Sequence, residues 1–211
     1  MQHPVSLKSA ERKAFQMSFA DGLWDVFIGC IVLMFVIAPF LSQSLGDFWS
    51  SFIFLPFWGL VYLAIWLIRK YVVAPRTGAV VYNPQRRQKL RTFSIVMLCI
   101  NLVVFLLGIV AMVTMSEVPG MVYPVLLGVF LLFGFSAAAY ILDYPRLYIY
   151  GLLLFAAPLV GEWLYTEYGV PHHGYPIVYG FVSGLMILAG LVTFVRFLYS
   201  NPIVSTPIEG A

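Results

Sequence analysis

The chain has 211 residues, of which 62% are apolar and only 10% are charged, and its mean hydropathy is +0.93. Soluble domains carry about 25% charged residues, so this composition excludes an ordinary soluble domain and predicts an integral membrane protein. The net charge of +3 does not indicate a nucleic-acid binder, because the basic residues lie beside apolar runs rather than in a separate polar domain.

The first 20 residues contain three basic side chains but no apolar core of signal-peptide type, so we expect no cleavage there. Leu7, Ala10, Ala14 and Met17 recur at helical spacing. This pattern favours a short helix lying in the headgroup region, and a disordered basic tail is the alternative.

Six apolar runs follow, and each is long enough to cross a hydrocarbon core of roughly 30 Å at about 1.5 Å per residue. They cover residues 22–42, 51–68, 92–115, 121–142, 147–166 and 175–199. We therefore predict an all-α membrane protein in which residues 1–211 form a single domain. Within it, an interfacial segment (1–20) leads into a compact six-helix transmembrane bundle (22–199), and a cytoplasmic tail (200–211) follows.

The distribution of Lys and Arg predicts the orientation of these spans. With the N-terminus in the cytoplasm, all 12 basic residues fall on the inner side or at the inner ends of the spans. We expect a multi-pass protein of the cell membrane with both termini in the cytoplasm.

The long polar segment 69–91 divides into two predicted parts. Tyr71 to Val73 and Ala79 to Tyr82 are short β-type runs separated by a Pro-Arg-Thr-Gly turn, which predicts a small cytoplasmic hairpin. Asn83 and Pro84 then resemble a helix start. The basic residues of this segment are predicted to face anionic lipid headgroups or a membrane-protein partner: Arg76, Arg86, Arg87, Lys89 and Arg91.

Two polar side chains inside the spans are candidates for a ligand or ion path. Asp25 lies one turn into the first span, where an unpaired carboxylate is costly, so we expect a partner among the basic residues of the inner side, Arg69, Lys70, Arg146 and Arg196. Asn101 lies about 15 Å from Arg91 along the third span, near the middle of the bilayer. A structural ion pair for Asp25 and an interhelical hydrogen bond for Asn101 are the simpler interpretations.

The connection before the last span gathers a second set of candidates. Glu162 is the third candidate for the path, and Glu167, His172 and His173 follow it closely. Carboxylates and imidazoles can bind divalent metals, but this spacing matches no known metal site, and we assign no metal and no cofactor. Pro56 and Pro158 lie inside spans, where they predict kinks; these either open an outer cavity beside Glu162 or bend the helices without forming a cavity.

Small residues indicate where helices pack closely. Gly180 and Gly184 form a GxxxG pattern in the last span, and Gly134 and Ala138 form a related pair. These faces fit contacts within the bundle, in a homo-oligomer, or with another membrane protein. A set of tyrosines is predicted to form interfacial belts: Tyr140, Tyr144, Tyr148, Tyr150, Tyr165 and Tyr168.

Three classes of function remain open at the level of sequence. The first is a small transporter or channel-like protein with an outer cavity near Glu162. The second is a non-catalytic accessory or assembly subunit that uses the basic loop, and the third is an intramembrane enzyme. A transporter requires polar groups that converge from several spans, whereas an accessory subunit requires a filled interior and apolar faces for a partner.

Overall fold

The computed structural model describes residues 21–77, 91 and 121–202. In these residues the chain is helical apart from short turns, and they contain no β-strand. The predicted all-α class is therefore confirmed for the described part of the chain. The predicted interfacial helix (1–20), the third span with Asn101, and Arg86, Arg87 and Lys89 lie outside the described residues, so those predictions are not tested.

Seven α-helices are described, together with one π-helical and one 3-10 turn. The helices are α1 (Leu23–Val32), α2 (Met34–Phe52), α3 (Phe54–Ile68), α4 (Ala74–Thr77), α5 (Val122–Leu142), α6 (Arg146–Tyr168) and α7 (Tyr175–Ser200). The π-helical turn Arg69–Val73 joins α3 to α4, and the 3-10 turn His172–Gly174 precedes α7.

Five stretches of the described residues are long and apolar enough to cross a membrane. They are Leu23–Gly46, Phe54–Arg76, Val122–Leu142, Arg146–Tyr168 and His172–Ser200. Each coincides with a predicted span to within a few residues, except that the second continues to Arg76 rather than ending at Ile68. The protein is therefore of the multi-pass membrane class, and the sixth span stays a prediction.

A break at Gly46 ends the first span. This glycine has φ 76° and ψ 161°, which is incompatible with an α-helix, so the last residues of α2 form a separate turn. The reversal into α3 follows directly. The first span therefore runs about one turn beyond the predicted end at residue 42.

The predicted β-hairpin is wrong in its first strand. Tyr71, Val72 and Val73 belong to the π-helical turn, in which the amide of Ala74 donates to the carbonyl of Arg69 five residues earlier. Helical continuation satisfies backbone groups within the segment, whereas an isolated two-stranded hairpin is marginal. The wider turn also precedes Pro75, which cannot donate a helical hydrogen bond. The second predicted strand (79–82) lies outside the described residues.

The closest helix contact joins α1 to α7. A Cβ atom added to Gly190 would lie 2.7 Å from the carbonyl oxygen of Gly22, and one added to Gly29 would lie 3.1 Å from the carbonyl oxygen of Ser183. Only glycine allows two backbones to approach in this way. This glycine seam, formed by Gly22, Gly29 and Gly190, aligns the first and last described helices.

The predicted small-residue faces make looser contacts. Among the described residues, no atom lies within 4 Å of a Cβ added to Gly134 or Gly184, and Gly180 meets the side chain of Val36 at an ordinary 3.8 Å. Ala138 packs against the core. Whether Gly134 and Gly184 pack against another part of the chain or another protein therefore stays a prediction.

Candidate functional site

Two polar clusters lie at opposite ends of the described bundle. Asp25 anchors one cluster and Glu162 the other, and both carboxylates are buried. Arg146 belongs to the Asp25 cluster and lies on the same helix as Glu162, so the helical rise separates the clusters by about 24 Å. We refer below to the Asp25 end and the Glu162 end of the bundle.

The Asp25 carboxylate is completely buried, and its partners include Tyr144 in the α5–α6 connection and Arg146 at the start of α6. The hydroxyl of Tyr144 donates to Oδ1, and Nη1 of Arg146 donates to Oδ2 at 2.7 Å. Arg146 also donates to Oγ1 of Thr193 on α7 at 3.1 Å. Thr193 in turn donates to the carbonyl of Ala189, so this network joins α1, α6 and α7.

A second ion pair lies one helical turn away from Asp25. Asp21 accepts a hydrogen bond from the backbone amide of Leu23 at 3.1 Å, and Nη2 of Arg69 lies 2.8 Å from Oδ2. The Arg69 guanidinium also sits 5.1 Å from the centre of the Trp24 ring. Burial raises the pKa of the Asp21 carboxyl, while the charge of Arg69 acts in the opposite direction. This pair attaches the π-helical turn to the start of α1.

At the other end, Glu162 is hydrogen-bonded to a half-exposed histidine. Oε2 of Glu162 lies 2.9 Å from Nδ1 of His173; the glutamate side chain is 6% exposed and the histidine side chain 52% exposed. The half-exposed imidazole of His173 therefore lies between the buried carboxylate of Glu162 and solvent. Histidine differs from arginine in that it changes charge near neutral pH, so this pair is suited to proton exchange.

The imidazole of His173 lies between two tyrosine rings. Its centre is 4.3 Å from that of Tyr165 on α6 and 5.8 Å from that of Tyr175 on α7. Tyr175 also interacts electrostatically with Glu162. The two rings flank the imidazole, one from each of the helices that the turn connects.

The chain of aromatic rings continues into the bundle. Tyr175 makes an edge contact with Tyr179, whose ring stacks on Phe35 at a centroid distance of 4.6 Å. Tyr179 is completely buried, and its hydroxyl has no hydrogen-bond partner among the described residues. A buried hydroxyl without a partner costs about 1–3 kcal/mol, which makes this position unusual for a purely structural residue.

The turn that carries the histidines has a strained backbone. His172 and His173 have φ angles of 56° and 53°, followed by Gly174 at 61°. Left-handed backbone costs roughly 1–2 kcal/mol for a residue with a Cβ, so two adjacent histidines in this conformation need support from their surroundings. Nε2 of His172 lies 3.2 Å from Nε2 of Gln43, and its ring contacts Phe40.

A packed apolar layer separates the two clusters. Its members are almost completely buried and come from α1, α6 and α7: Val32, Leu154, Ala157, Val182 and Met186. The predicted kink residue Pro158 lies at the edge of this layer and is also buried. In the described part of the chain, this layer therefore lies between the Asp25 end and the Glu162 end of the bundle.

The structure therefore brings together some predicted candidates and separates others. Glu162 and His173 meet directly, whereas His172 faces Gln43 and Glu167 is exposed at the end of α6. The described residues contain no group of three or more His, Cys, Asp and Glu side chains that could hold a metal ion. Arg76 donates to the carbonyl of Val72, and Arg91 is exposed.

Several residues of the two clusters were not predicted from the sequence. Tyr144 and Tyr150 are buried rather than interfacial, because the turn at Asp143 points Tyr144 back towards Asp25. Gln43 and Tyr175 also have roles that no motif indicates. The left-handed conformation of Asp143, which reverses the chain beside the buried acid, is visible only in the structure.

Comparison with protein-family models, with curated proteins and with solved structures finds no match to this chain.

Proposed function

We propose that the chain is a small proton-linked transporter or channel-like protein, in which Glu162 is the buried group that takes up the proton. The observation that carries the proposal is the contact between the buried Glu162 carboxylate and the half-exposed His173. Ionisable residues inside membrane spans are costly, and chains of Glu, Asp and His are typical of proton relays in transport proteins.

The geometry supports a simple relay at the Glu162 end. With Nδ1 of His173 directed at Glu162, the other ring nitrogen, Nε2, is left to accept a proton from water. A proton gained at Nε2 and a proton donated from Nδ1 to Oε2 of Glu162 would together transfer one proton to the buried acid. The ring contacts of Tyr175 with His173 and with Tyr179 continue from this pair towards the interior.

For the orientation, we propose that the Asp25 end faces the cytoplasm of a cell and the Glu162 end faces outwards. The described basic residues Arg69, Lys70, Arg76, Arg146 and Arg196 belong to segments at the Asp25 end. Basic residues next to spans are retained on the cytoplasmic side and attract anionic headgroups. Lys70, which lies 5.1 Å from the centre of the Trp66 ring, fits such an interfacial position.

Proton flux into vesicles tests the proposal. The purified protein is reconstituted into liposomes that contain a pH-sensitive dye, and a membrane potential is imposed with potassium and valinomycin. We expect internal acidification with the wild type and a fall to the level of protein-free vesicles with Glu162→Gln. Glu167→Gln is the matched control, because this exposed acid lies near Glu162 on the same helix, and it should retain the wild-type rate.

A wild-type protein that passes no protons, with or without added solutes, would refute the transport proposal. The apolar layer favours a second candidate in that case, which is a non-catalytic accessory subunit with a filled interior. Its partner would cover the open faces at Gly134 and Gly184. Large side chains at these two positions, as in Gly134→Leu and Gly184→Leu, would then disrupt a complex isolated from native membranes.

A further inference from the structure

The connection between α6 and α7 has hinge residues at both ends. We call residues 169–174 the connecting turn. It begins at Gly169, which caps α6 with φ 63°, and ends at Gly174, which precedes α7 with φ 61°. Glycine changes its backbone angles at little steric cost, so both ends of the connecting turn can rotate without disturbing the helices.

Side chains from two different spans hold the connecting turn in place. Gln43, at the exposed end of the first span, binds His172, and Glu162 of α6 binds His173. The turn lies directly on the α6 backbone, because a Cβ on Gly174 would meet the carbonyl oxygen of Gly161 at 2.7 Å. These contacts stabilise the closed conformation of the turn, whereas the left-handed backbone of the two histidines destabilises it.

The connecting turn covers the polar interior of the Glu162 end. Glu162, which the turn contacts through His173, is only 4% exposed although it carries a polar group. A Cβ added to Gly161 would lie 2.8 Å from the carbonyl oxygen of His173, so the turn leaves no gap above this part of α6. A species larger than a proton can reach Glu162 from this side only if the turn moves.

We infer that the connecting turn is a lid, hinged at Gly169 and Gly174 and fastened by Gln43, which controls access from the aqueous phase to Glu162. Its role in transport rests on the proposed function, but the existence of the lid does not. In the closed state the half-exposed His173 ring connects Glu162 with water. In the open state the two histidines leave the left-handed conformation and the carboxylate becomes accessible to solutes.

Two measurements on the full-length protein test the lid without any transport assay. Hydrogen exchange, followed by mass spectrometry, reports opening of the backbone in peptides covering residues 169–174. Modification of Glu162 by a water-soluble carbodiimide with a small amine reports access to the carboxylate. We expect Gln43→Leu and Gln43→Ala to accelerate both reactions severalfold, because they release one fastening of the turn while leaving the buried residues intact.

Ser44→Ala is the matched control. Ser44 is adjacent to Gln43, is exposed, and donates only to the carbonyl of Leu41 within its own helix, so both rates should stay at the wild-type value. Unchanged rates in both Gln43 variants would overturn the inference. Faster exchange without faster modification of Glu162 would also overturn it, since the turn would then move without acting as a cover. A protein with a working lid and no proton flux would instead refute the proposed function alone.

Discussion

Two buried carboxylates at opposite ends of the described bundle, Asp25 and Glu162, differ in the nature of their partners. Asp25 is bound by Arg146, which carries a permanent charge, whereas Glu162 is bound by His173, a residue type that has both a neutral and a charged form. The first arrangement fixes a charge pair and the helices that carry it. The second allows the charge of a buried site to change, which is why the function is proposed at Glu162.

The sequence predicted part of this difference. The cost of a lone acid in a span indicated that Asp25 needs a cation, and the structure identifies Arg146 among the expected residues. It did not indicate Tyr144, because a tyrosine near a span end has the same pattern whether it turns outwards to the interface or inwards to an acid. The choice depends on the backbone at Asp143, which is a tertiary feature.

Removing either partner of the Asp25 ion pair is expected to have unequal effects. Arg146→Met leaves a completely buried carboxylate without its cation, which should cost about 3 kcal/mol. Asp25→Asn leaves Arg146, whose side chain is 40% exposed and can be hydrated, so the loss should be smaller. Thermal unfolding of the purified variants in mild detergent measures both effects.

The exposed Arg196→Met serves as the control for loss of a basic residue at the same end, and it should unfold like the wild type. Equal losses for Arg146→Met and Asp25→Asn, or a larger loss for Asp25→Asn, would show that burial of Asp25 does not determine the stability of this pair.

At the scale of helices, apolar periodicity and length predicted four of the five described spans to within a few residues, and failed for the end of the second. The run Tyr71 to Val73 has strong β-propensity, yet it is helical. Propensity is a weak influence beside the requirement that backbone groups in or near a membrane find partners within the segment. The π-helical turn meets that requirement and also directs Arg69 towards Asp21.

Helix pairing was harder to predict than helix existence. The GxxxG pattern of α7 suggested Gly180 and Gly184, whereas the close contact sets Gly190 against Gly22, and Gly29 against the backbone of Ser183. Gly22 and Gly29 are seven residues apart and so share one helical face, but nothing in the sequence specifies the helix that this face meets. Small residues permit close approach without selecting the partner.

The glycine seam predicts that replacing glycine by alanine in α7 changes the stability of the protein differently inside the seam and outside it. In a helix interior, replacing glycine by alanine is normally favourable by about 1 kcal/mol. Gly190→Ala should nevertheless destabilise the protein, because the new Cβ would lie 2.7 Å from the Gly22 carbonyl oxygen. Gly184→Ala, in the same helix but without a neighbour among the described residues, should be neutral or stabilising.

Thermal unfolding in detergent again provides the comparison, with intact secondary structure checked by circular dichroism. If both substitutions destabilised the protein, or both stabilised it, the close approach of α1 to α7 would not determine which residue position 190 accepts.

At the scale of the whole molecule, composition predicted the membrane class, and the order of the spans placed the two clusters at opposite ends. Residues 21, 25, 69 and 146 are far apart in the chain but occupy the same end because successive spans alternate in direction. The contacts within each cluster could not be predicted, since they depend on the rotation of each helix and on turns of unusual conformation. The apolar layer between the clusters follows from the same alternation.

Together, these features describe a bundle with one fixed end and one end suited to change. The Asp25 end is held by two ion pairs and a hydroxyl network, whereas the Glu162 end combines a titratable pair, a strained turn and a buried hydroxyl without a partner in the described residues. Transport proteins need such an asymmetry, because one part must move relative to a rigid remainder.

Protonation of Glu162 is the event on which the proposed function depends, and infrared difference spectroscopy on reconstituted protein measures it directly. On acidification we expect a carboxylic-acid carbonyl band in the wild type that is missing from Glu162→Gln. The same band should appear more slowly in His173→Ala, because the ring that connects the buried acid with water is gone. Identical spectra for the wild type and Glu162→Gln over the whole acid range would contradict the account, since Glu162 would then take up no proton.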